Sequence, residues 1–77
     1  MTLDDVLVGN SVKITQVKGQ GLLRRRLLEM GLTPNTIVKV RKVAPMGDPI
    51  EVYLRRYVLT LRKEDASQIE VEDIHHE

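Results

Sequence analysis

The sequence predicts a mainly β fold: a small, strongly bent barrel of about five short strands, with one short helix inserted between the first two. The chain has 77 residues, which suits one domain. Phe and Trp are absent, so the core is expected to consist almost wholly of Leu, Val and Ile. The β-branched side chains of Val and Ile favour strands. Short apolar runs alternate with polar residues and are separated by turn-forming residues, as in small barrels.

Five runs are predicted as strands: residues 11–15, 37–43, 50–55, 58–62 and 69–71. The second run alternates imperfectly, which indicates a bulge. A helical turn over residues 63–67 precedes the last strand. The side chains predicted to face inward include Val12, Ile14, Ile50, Val52, Leu54, Leu59 and Leu61.

The inserted helix is predicted over residues 22–30. Leu22, Leu23, Leu27 and Met30 fall on one helical stripe roughly 140° wide, which is the face expected to pack on the sheet. No Ser, Thr, Asp or Asn stands before the helix, so Gly21 is expected to act as its N-cap.

The end of the helix carries a clear stop signal. Gly31 lies where the chain must adopt a left-handed conformation, which glycine does without steric cost. Leu32 is then expected to fold back on Leu27 in a Schellman ending. Pro34 follows closely and prevents the helix from resuming.

The net charge is +1, but basic residues concentrate between residues 24 and 63 while acidic residues gather toward the ends. Arg25 is expected to lie on a solvated helix face. Arg26 projects into the apolar stripe, so its stem should be covered while its guanidinium reaches an acceptor, for which Asp48 is a candidate.

Residues 1–72 are expected to form the domain and residues 73–77 a polar tail. No apolar run approaches the roughly 20 residues that span a bilayer. The acidic N-terminus is unlike a signal peptide, and the absence of Cys suits a reducing compartment. A soluble, cytoplasmic protein is therefore expected.

No catalytic site is predicted. Cys is absent, and no Ser or Thr has an evident base to activate it. The glycines Gly19 and Gly21 lack the other residues of a phosphate-binding loop. His75 and His76 are adjacent and point opposite ways in an extended tail, so they are only weak candidates for binding Fe²⁺ or another divalent metal.

Several motifs occur in order along the chain and together resemble the FeoA family. They are Arg26-Leu27, Glu29 to Leu32, Pro34 with Thr36, Ala44 to Pro49, and Leu61-Arg62 with Ala66. The resemblance covers roughly residues 3–72. In two places the chain departs from the family pattern, because it has Asn35 and Arg56 where the family usually has glycine. Asparagine tolerates the left-handed conformation better than any other residue except glycine, so Asn35 can form the same turn.

The resemblance implies an SH3-like barrel that serves as an accessory protein of bacterial ferrous iron transport. It implies as partner FeoB, a membrane permease with a cytoplasmic GTP-binding domain, and thus membrane association through FeoB without insertion. No cofactor is implied as required. The same fold occurs as the C-terminal domain of iron- and manganese-dependent repressors, so a metal sensor is an alternative.

A nucleic-acid-binding barrel is a further alternative, favoured by the basic middle of the chain. The near-zero net charge argues against it, as does the presence of only two aromatic residues, Tyr53 and Tyr57. No nucleic-acid partner is therefore expected.

A partner-binding face is predicted on the helix. Leu28 projects about 100° away from Leu27, and it is flanked by Arg24 and Arg25, which would give an apolar centre with a charged rim. Combining Leu28→Ala with Arg24→Glu is predicted to leave folding intact and to weaken binding. A neighbouring loop is expected to contribute because its prolines make it rigid; its residues are Pro45, Met46, Gly47, Asp48 and Pro49.

Overall fold

A computed structural model of the chain describes residues 1–74. It contains one five-stranded antiparallel sheet with the order β4-β3-β2-β1-β5. The strands are β1 (Ser11–Val17), β2 (Ile37–Val43), β3 (Ile50–Leu54), β4 (Tyr57–Leu61) and β5 (Ile69–Asp73). A 3-10 turn (Leu3–Asp5) opens the chain, α1 (Gly21–Glu29) follows β1, and α2 (Lys63–Ala66) precedes β5. The predicted mainly β class is confirmed.

The boundary of the predicted tail differs, because Asp73 belongs to β5 and is opposite Val12 of β1. The candidate metal ligands His75 and His76 lie outside the described residues.

The core is built by alternation along the strands. Val12 and Ile14 of β1 are fully buried, as are Val38 and Val40 of β2, so the predicted inward faces of these strands are confirmed. Their neighbours point to solvent, and Ile37 remains 49% exposed. The predicted bulge in β2 is present, since its register against β3 shifts between Val40 and Lys42.

The helix α1 begins one residue earlier than predicted, with Gln20 rather than Gly21 as its N-cap. Gln20 has an extended backbone and makes no capping hydrogen bond through its side chain.

The predicted apolar stripe of α1 is partly wrong. Leu27 is fully buried and Leu23 and Leu28 pack against the core, but Leu22 is 81% exposed. The buried face of α1 is centred on Leu27, from which Leu28 is about 100° away and Leu22 about 140° away at 100° per residue. The helix is thus turned toward Leu28, and the expectation that Leu28 lies away from the core is corrected.

The Schellman ending of α1 is observed as predicted. The Leu32 amide donates to the Leu27 carbonyl at 3.2 Å, and the Gly31 amide donates to the Leu28 carbonyl at 3.0 Å. Gly31 has φ of 97°, the left-handed conformation that this ending requires. In the next turn Asn35 has φ of 75°, also as expected.

Two connections shape the ends of β3. Arg55 and Arg56 form a two-residue hairpin turn with φ of 46° and 71°, the pattern of a type I′ turn. The preceding loop, residues 44–49, is closed by a hydrogen bond from the Ala44 amide to the Pro49 carbonyl at 3.0 Å. The Asp48–Pro49 peptide bond in this loop is cis.

Candidate partner-binding surface

The C-terminal end of α1 is fastened to the β3–β4 hairpin by Arg55. Its Nε donates to the Gly31 carbonyl at 3.3 Å, and its Nη2 donates to the hydroxyls of Thr33 and Thr36, each at 2.8 Å. Tyr57 adds a hydrogen bond from its hydroxyl to the Met30 carbonyl. We call this set of contacts the Arg55 joint. Nothing in the sequence pattern pointed to it, because its partners are 19 to 27 residues apart along the chain.

The ion pair of Arg26 differs from the expectation. Its Nη2 lies 3.5 Å from the Asp65 carboxylate of α2, and its side chain is 62% exposed rather than covered. Asp48 instead accepts a hydrogen bond at 2.9 Å from the backbone amide of Lys63, the first residue of α2. Both contacts involve α2, which spacing along the sequence could not place beside α1 and the 44–49 loop.

The helix residues predicted to bind a partner do come together. Leu28, Arg24 and Arg25 line a groove of about 420 Å³, with Gly21 and Glu29 completing it. Leu28 is half-buried, so it packs against the core and also lines the groove. We call this feature the α1 groove; the exposed Leu22 belongs to the same helix.

Arg24 has a structural contact that the sequence did not reveal. Its Nε donates to the Val17 carbonyl at the end of β1, at 3.2 Å. The side chain therefore connects α1 to the sheet as well as lining the α1 groove. Arg25 is exposed, as expected, and among the described residues it forms no ion pair.

The loop predicted to contribute to the same face, residues 44–49, has no direct contact to α1 among the hydrogen bonds and ion pairs of the described residues. It precedes β3, whereas the hairpin that contacts the end of α1 follows β3, so the two lie at opposite ends of that strand. Met46 at the tip of the loop is 93% exposed. That this loop contributes to the partner-binding face stays a prediction.

The shifted pKa values lie away from the α1 groove. The pKa of Glu70 is below its ordinary value because Lys18 donates to its carboxylate at 2.6 Å. The pKa of Asp5 is also lowered, by hydrogen bonds from the backbone and side chain of Thr2.

Within residues 1–74 no group of three or more His, Cys, Asp or Glu side chains is placed to hold a metal ion. Two of the hydroxyl groups considered as nucleophiles, those of Thr33 and Thr36, accept hydrogen bonds from the cation Arg55. No helix in this part of the chain is long and apolar enough to cross a membrane.

The described structure is that of a small antiparallel β domain whose inserted helix presents a groove lined by one apolar, two basic and one acidic side chain. A family model described as the FeoA domain matches residues 1–73 of the chain. The chain belongs to the FeoA family, whose members are accessory proteins of ferrous iron transport. The resemblance read from the motifs is thereby confirmed.

A curated relative is the Fe(2+) transport protein A/Fe(2+) transporter FeoB fusion protein of Porphyromonas gingivalis. It is 39% identical over 72 residues, which are 94% of this chain. The match spans only 8% of the length of that protein.

Solved structures confirm the fold. The FeoA-like protein of Clostridium acetobutylicum is 37% identical with a TM-score of 0.89, and the match covers all of this chain and 92% of that one. The FeoA of Stenotrophomonas maltophilia, solved with zinc and described as an SH3 domain protein, is 25% identical with a TM-score of 0.83; the match covers 94% of this chain and 89% of that one. A manganese-dependent transcriptional repressor shares the fold at 14% identity and a TM-score of 0.87, covering 96% of this chain and 36% of that one. The SH3-like prediction is confirmed.

Proposed function

We propose that this chain acts in ferrous iron uptake by binding the cytoplasmic side of FeoB, at the GTP-binding domain of that permease. One observation carries the proposal. In the Porphyromonas gingivalis protein, a segment 39% identical to this chain and FeoB form one polypeptide. A covalent link holds two modules at a high effective concentration. Where the two modules are separate chains, a binding surface must replace that link.

The α1 groove is the surface best suited to this role. It combines the apolar side chain of Leu28 with the basic side chain of Arg25, an arrangement common where proteins bind one another. The Arg55 joint holds the end of α1 in place, so little conformational entropy is lost when a partner binds. Leu22 adds exposed apolar surface on the same helix, and Met46 at the tip of the 44–49 loop, also exposed, provides a second contact.

The structure changes how this proposal is best tested. Leu28→Ala would remove core packing and Arg24→Glu would remove the hydrogen bond to Val17, so the double variant would confuse folding with binding. Leu22→Ser and Arg25→Glu avoid both problems, because these side chains are exposed and form no described hydrogen bond or ion pair.

We expect each of these changes to weaken affinity for the isolated GTP-binding domain of FeoB by about tenfold, equivalent to about 1.4 kcal/mol. Calorimetry or fluorescence anisotropy at low and moderate salt measures it. Leu7→Ser is the matched control, since Leu7 is 72% exposed but lies outside α1. If both α1 variants fold and bind like the parent, FeoB contacts another surface.

We also propose that the protein needs no resident metal for this role and binds Fe²⁺ only weakly. The described residues offer no cluster of ligands, and a preorganised set is what tight binding requires. The competing function, a metal-binding sensor, is supported by the zinc in the Stenotrophomonas maltophilia structure.

Calorimetry with Fe²⁺ under anaerobic conditions, and with Zn²⁺, separates the two functions. We expect no stoichiometric binding at submicromolar concentration. Tight binding that survives replacement of both His75 and His76 by Ala would favour the sensor and would place ligands elsewhere in the chain.

A further inference from the structure

The two edge strands of the sheet differ, because another segment of the chain covers one of them and not the other. At the β5 edge the N-terminal segment covers the strand, because Thr2 bridges Glu70 and the Val71 amide donates to the Met1 carbonyl at 2.9 Å. At the other edge β4 pairs only with β3. No backbone hydrogen bond joins residues 57–61 to any other described segment. The β4 edge is therefore open along its whole length.

The register identifies which backbone groups face this edge. The two-residue turn closes on the pair Leu54 and Tyr57, and that closing pair is hydrogen-bonded in such hairpins. Hydrogen-bonded and non-hydrogen-bonded pairs then alternate along an antiparallel ladder. Leu59 and Leu61 consequently bond to β3, whereas the amides and carbonyls of Val58 and Thr60 point away from the sheet.

The β4 edge has none of the features that usually prevent strand pairing. Open edges in proteins are commonly blocked by charged residues, proline or a bulge. The strand Tyr57–Leu61 contains no charged residue and no proline. Its register against β3 runs through five consecutive pairs without a shift. A regular open edge of this kind can receive another strand by backbone hydrogen bonding.

Charges around the edge indicate what kind of strand fits. Arg56 and Arg62 lie at the two ends of β4 and both are exposed. On the outer face Lys39, Tyr53 and Val58 are opposite one another in a single row that ends at the edge. Arg62 has only an exposed ion pair with Glu64 at 3.7 Å, which is weak. Neither Lys39 nor Arg56 has an ion-pair partner among residues 1–74.

We propose that the β4 edge binds an extended segment of a partner protein as a sixth antiparallel strand, and that this segment has acidic residues at its ends and apolar or hydroxyl residues between them. The backbone of Val58 and Thr60 supplies the hydrogen bonds, and Arg56 and Arg62 select the acidic ends. The inference goes beyond the α1 groove and does not depend on which protein supplies the strand.

A second copy of this chain fits the edge poorly. The antiparallel register that pairs all of residues 57–61 with the same residues of another copy sets Arg56 opposite Arg62 at both ends. Like charges placed directly opposite each other destabilise a strand pair. The acidic segment removes that repulsion and replaces it with attraction.

The test uses the whole chain and two synthetic peptides, Glu-Val-Thr-Val-Thr-Val-Glu and the same peptide with Lys in place of both Glu. Nuclear magnetic resonance titration at low salt measures the affinity of each. We expect the acidic peptide to bind at least tenfold more tightly than the basic one. We also expect amide exchange at Val58 and Thr60 to slow at least tenfold in the acidic complex, with no change at Leu59, which is already bonded to β3.

A matched pair of variants checks the role of the backbone. Thr60→Pro removes an amide that faces the edge without removing a hydrogen bond to β3, and Thr60→Val keeps that amide. Peptide affinity should fall at least tenfold in the first and stay within twofold in the second. Should Thr60→Pro fail to fold, Arg56→Glu with Arg62→Glu provides the second test, because it should reverse the preference between the two peptides.

Three results would overturn the proposal: no measurable binding of the acidic peptide, equal binding of both peptides, or binding without slower exchange at Val58 and Thr60. If these two amides exchange slowly without peptide, and exchange more slowly as the protein concentration is raised, a second copy of the chain occupies the edge instead.

Discussion

At the scale of single residues, the position of α1 depends on contacts that converge on its last turn. Gly31 is central to them. Its φ of 97° strains any residue other than glycine, and a β-carbon added there would lie 3.0 Å from the Tyr57 hydroxyl. Two separate physical effects, backbone conformation and crowding, therefore act at one position.

We expect Gly31→Val to lower the free energy of unfolding by about 1–2 kcal/mol or more, since a β-branched residue is forced to positive φ. Gly31→Ala should cost less than Gly31→Val. Gly9→Ala is the control, because Gly9 has φ of 95° but no atom within 4 Å of the added carbon. Denaturant unfolding measures all three. Equal costs for the two Ala variants would show that the approach to Tyr57 is harmless.

Arg55 is the second residue on which this joint depends. Arg55→Ala removes hydrogen bonds to Gly31, Thr33 and Thr36, so we expect the free energy of unfolding to fall. The decrease should be only about 1–2 kcal/mol, because Arg55 is exposed and water replaces part of each hydrogen bond. Arg56→Ala is the matched control, with the same kind of left-handed backbone and no described side-chain hydrogen bond. It should change stability by about 0.5 kcal/mol or less. Thermal melts in which both variants behave alike would rule out a stabilising joint.

At the scale of elements, α1 is a nine-residue helix, too short to be stable alone, so its stability comes from one packed face. That face is centred on Leu27. Leu27→Ala should cost about 2–5 kcal/mol through lost burial and a cavity. Leu22→Ala should be nearly neutral, within about 0.5 kcal/mol. Comparable losses from the two changes in denaturant unfolding would mean that the helix is rotated from the orientation described here.

At the scale of the whole molecule, two carboxylates respond to pH: Glu70 of β5, which pairs with Lys18 and with the N-terminal amine, and Asp5, which accepts hydrogen bonds from Thr2 within the N-terminal segment. Lys18 lowers the pKa of Glu70 from its ordinary value of 4.5, and Thr2 lowers the pKa of Asp5 from 3.8. Each carboxylate is thus more acidic in the folded state than in the unfolded chain. Their stabilising contribution is fully present above the ordinary values and is lost as the pH falls through the folded pKa values.

We therefore expect the free energy of unfolding to decline as the pH is lowered below 4.5, the ordinary pKa of Glu70. Glu70→Gln should be less stable than the parent at neutral pH, and the difference should vanish at acidic pH, where the parent carboxylate is also uncharged. Chemical denaturation across this pH range provides the measurement. A constant difference between the two proteins at every pH would show that Glu70 contributes through packing rather than charge.

Much of the architecture was predictable because it follows from local patterns. Alternation at Ile50, Val52 and Leu54 predicts a half-buried strand whatever its neighbours are. The Schellman ending at Gly31 depends on the residues next to it in the chain. The family motifs identified the SH3-like fold before any contact was known.

The binding surfaces were less predictable because they depend on contacts between distant parts of the chain. Periodicity shows that Leu22, Leu27 and Leu28 point in different directions, but it does not show which direction faces the core. The sequence could not place Asp65 beside Arg26 or Arg55 beside Gly31, since these pairs meet only when the sheet has formed.

By itself the sequence determined the strands, the position of the helix, its stop signal and the family, because each is specified within a short stretch or an ordered set of motifs. Tertiary structure alone decided which side of α1 is exposed, that Arg55 holds the end of α1 against the β3–β4 hairpin, and that β4 is the uncovered edge. These features depend on how the elements pack, and packing free energy is a property of residues that are far apart in the chain.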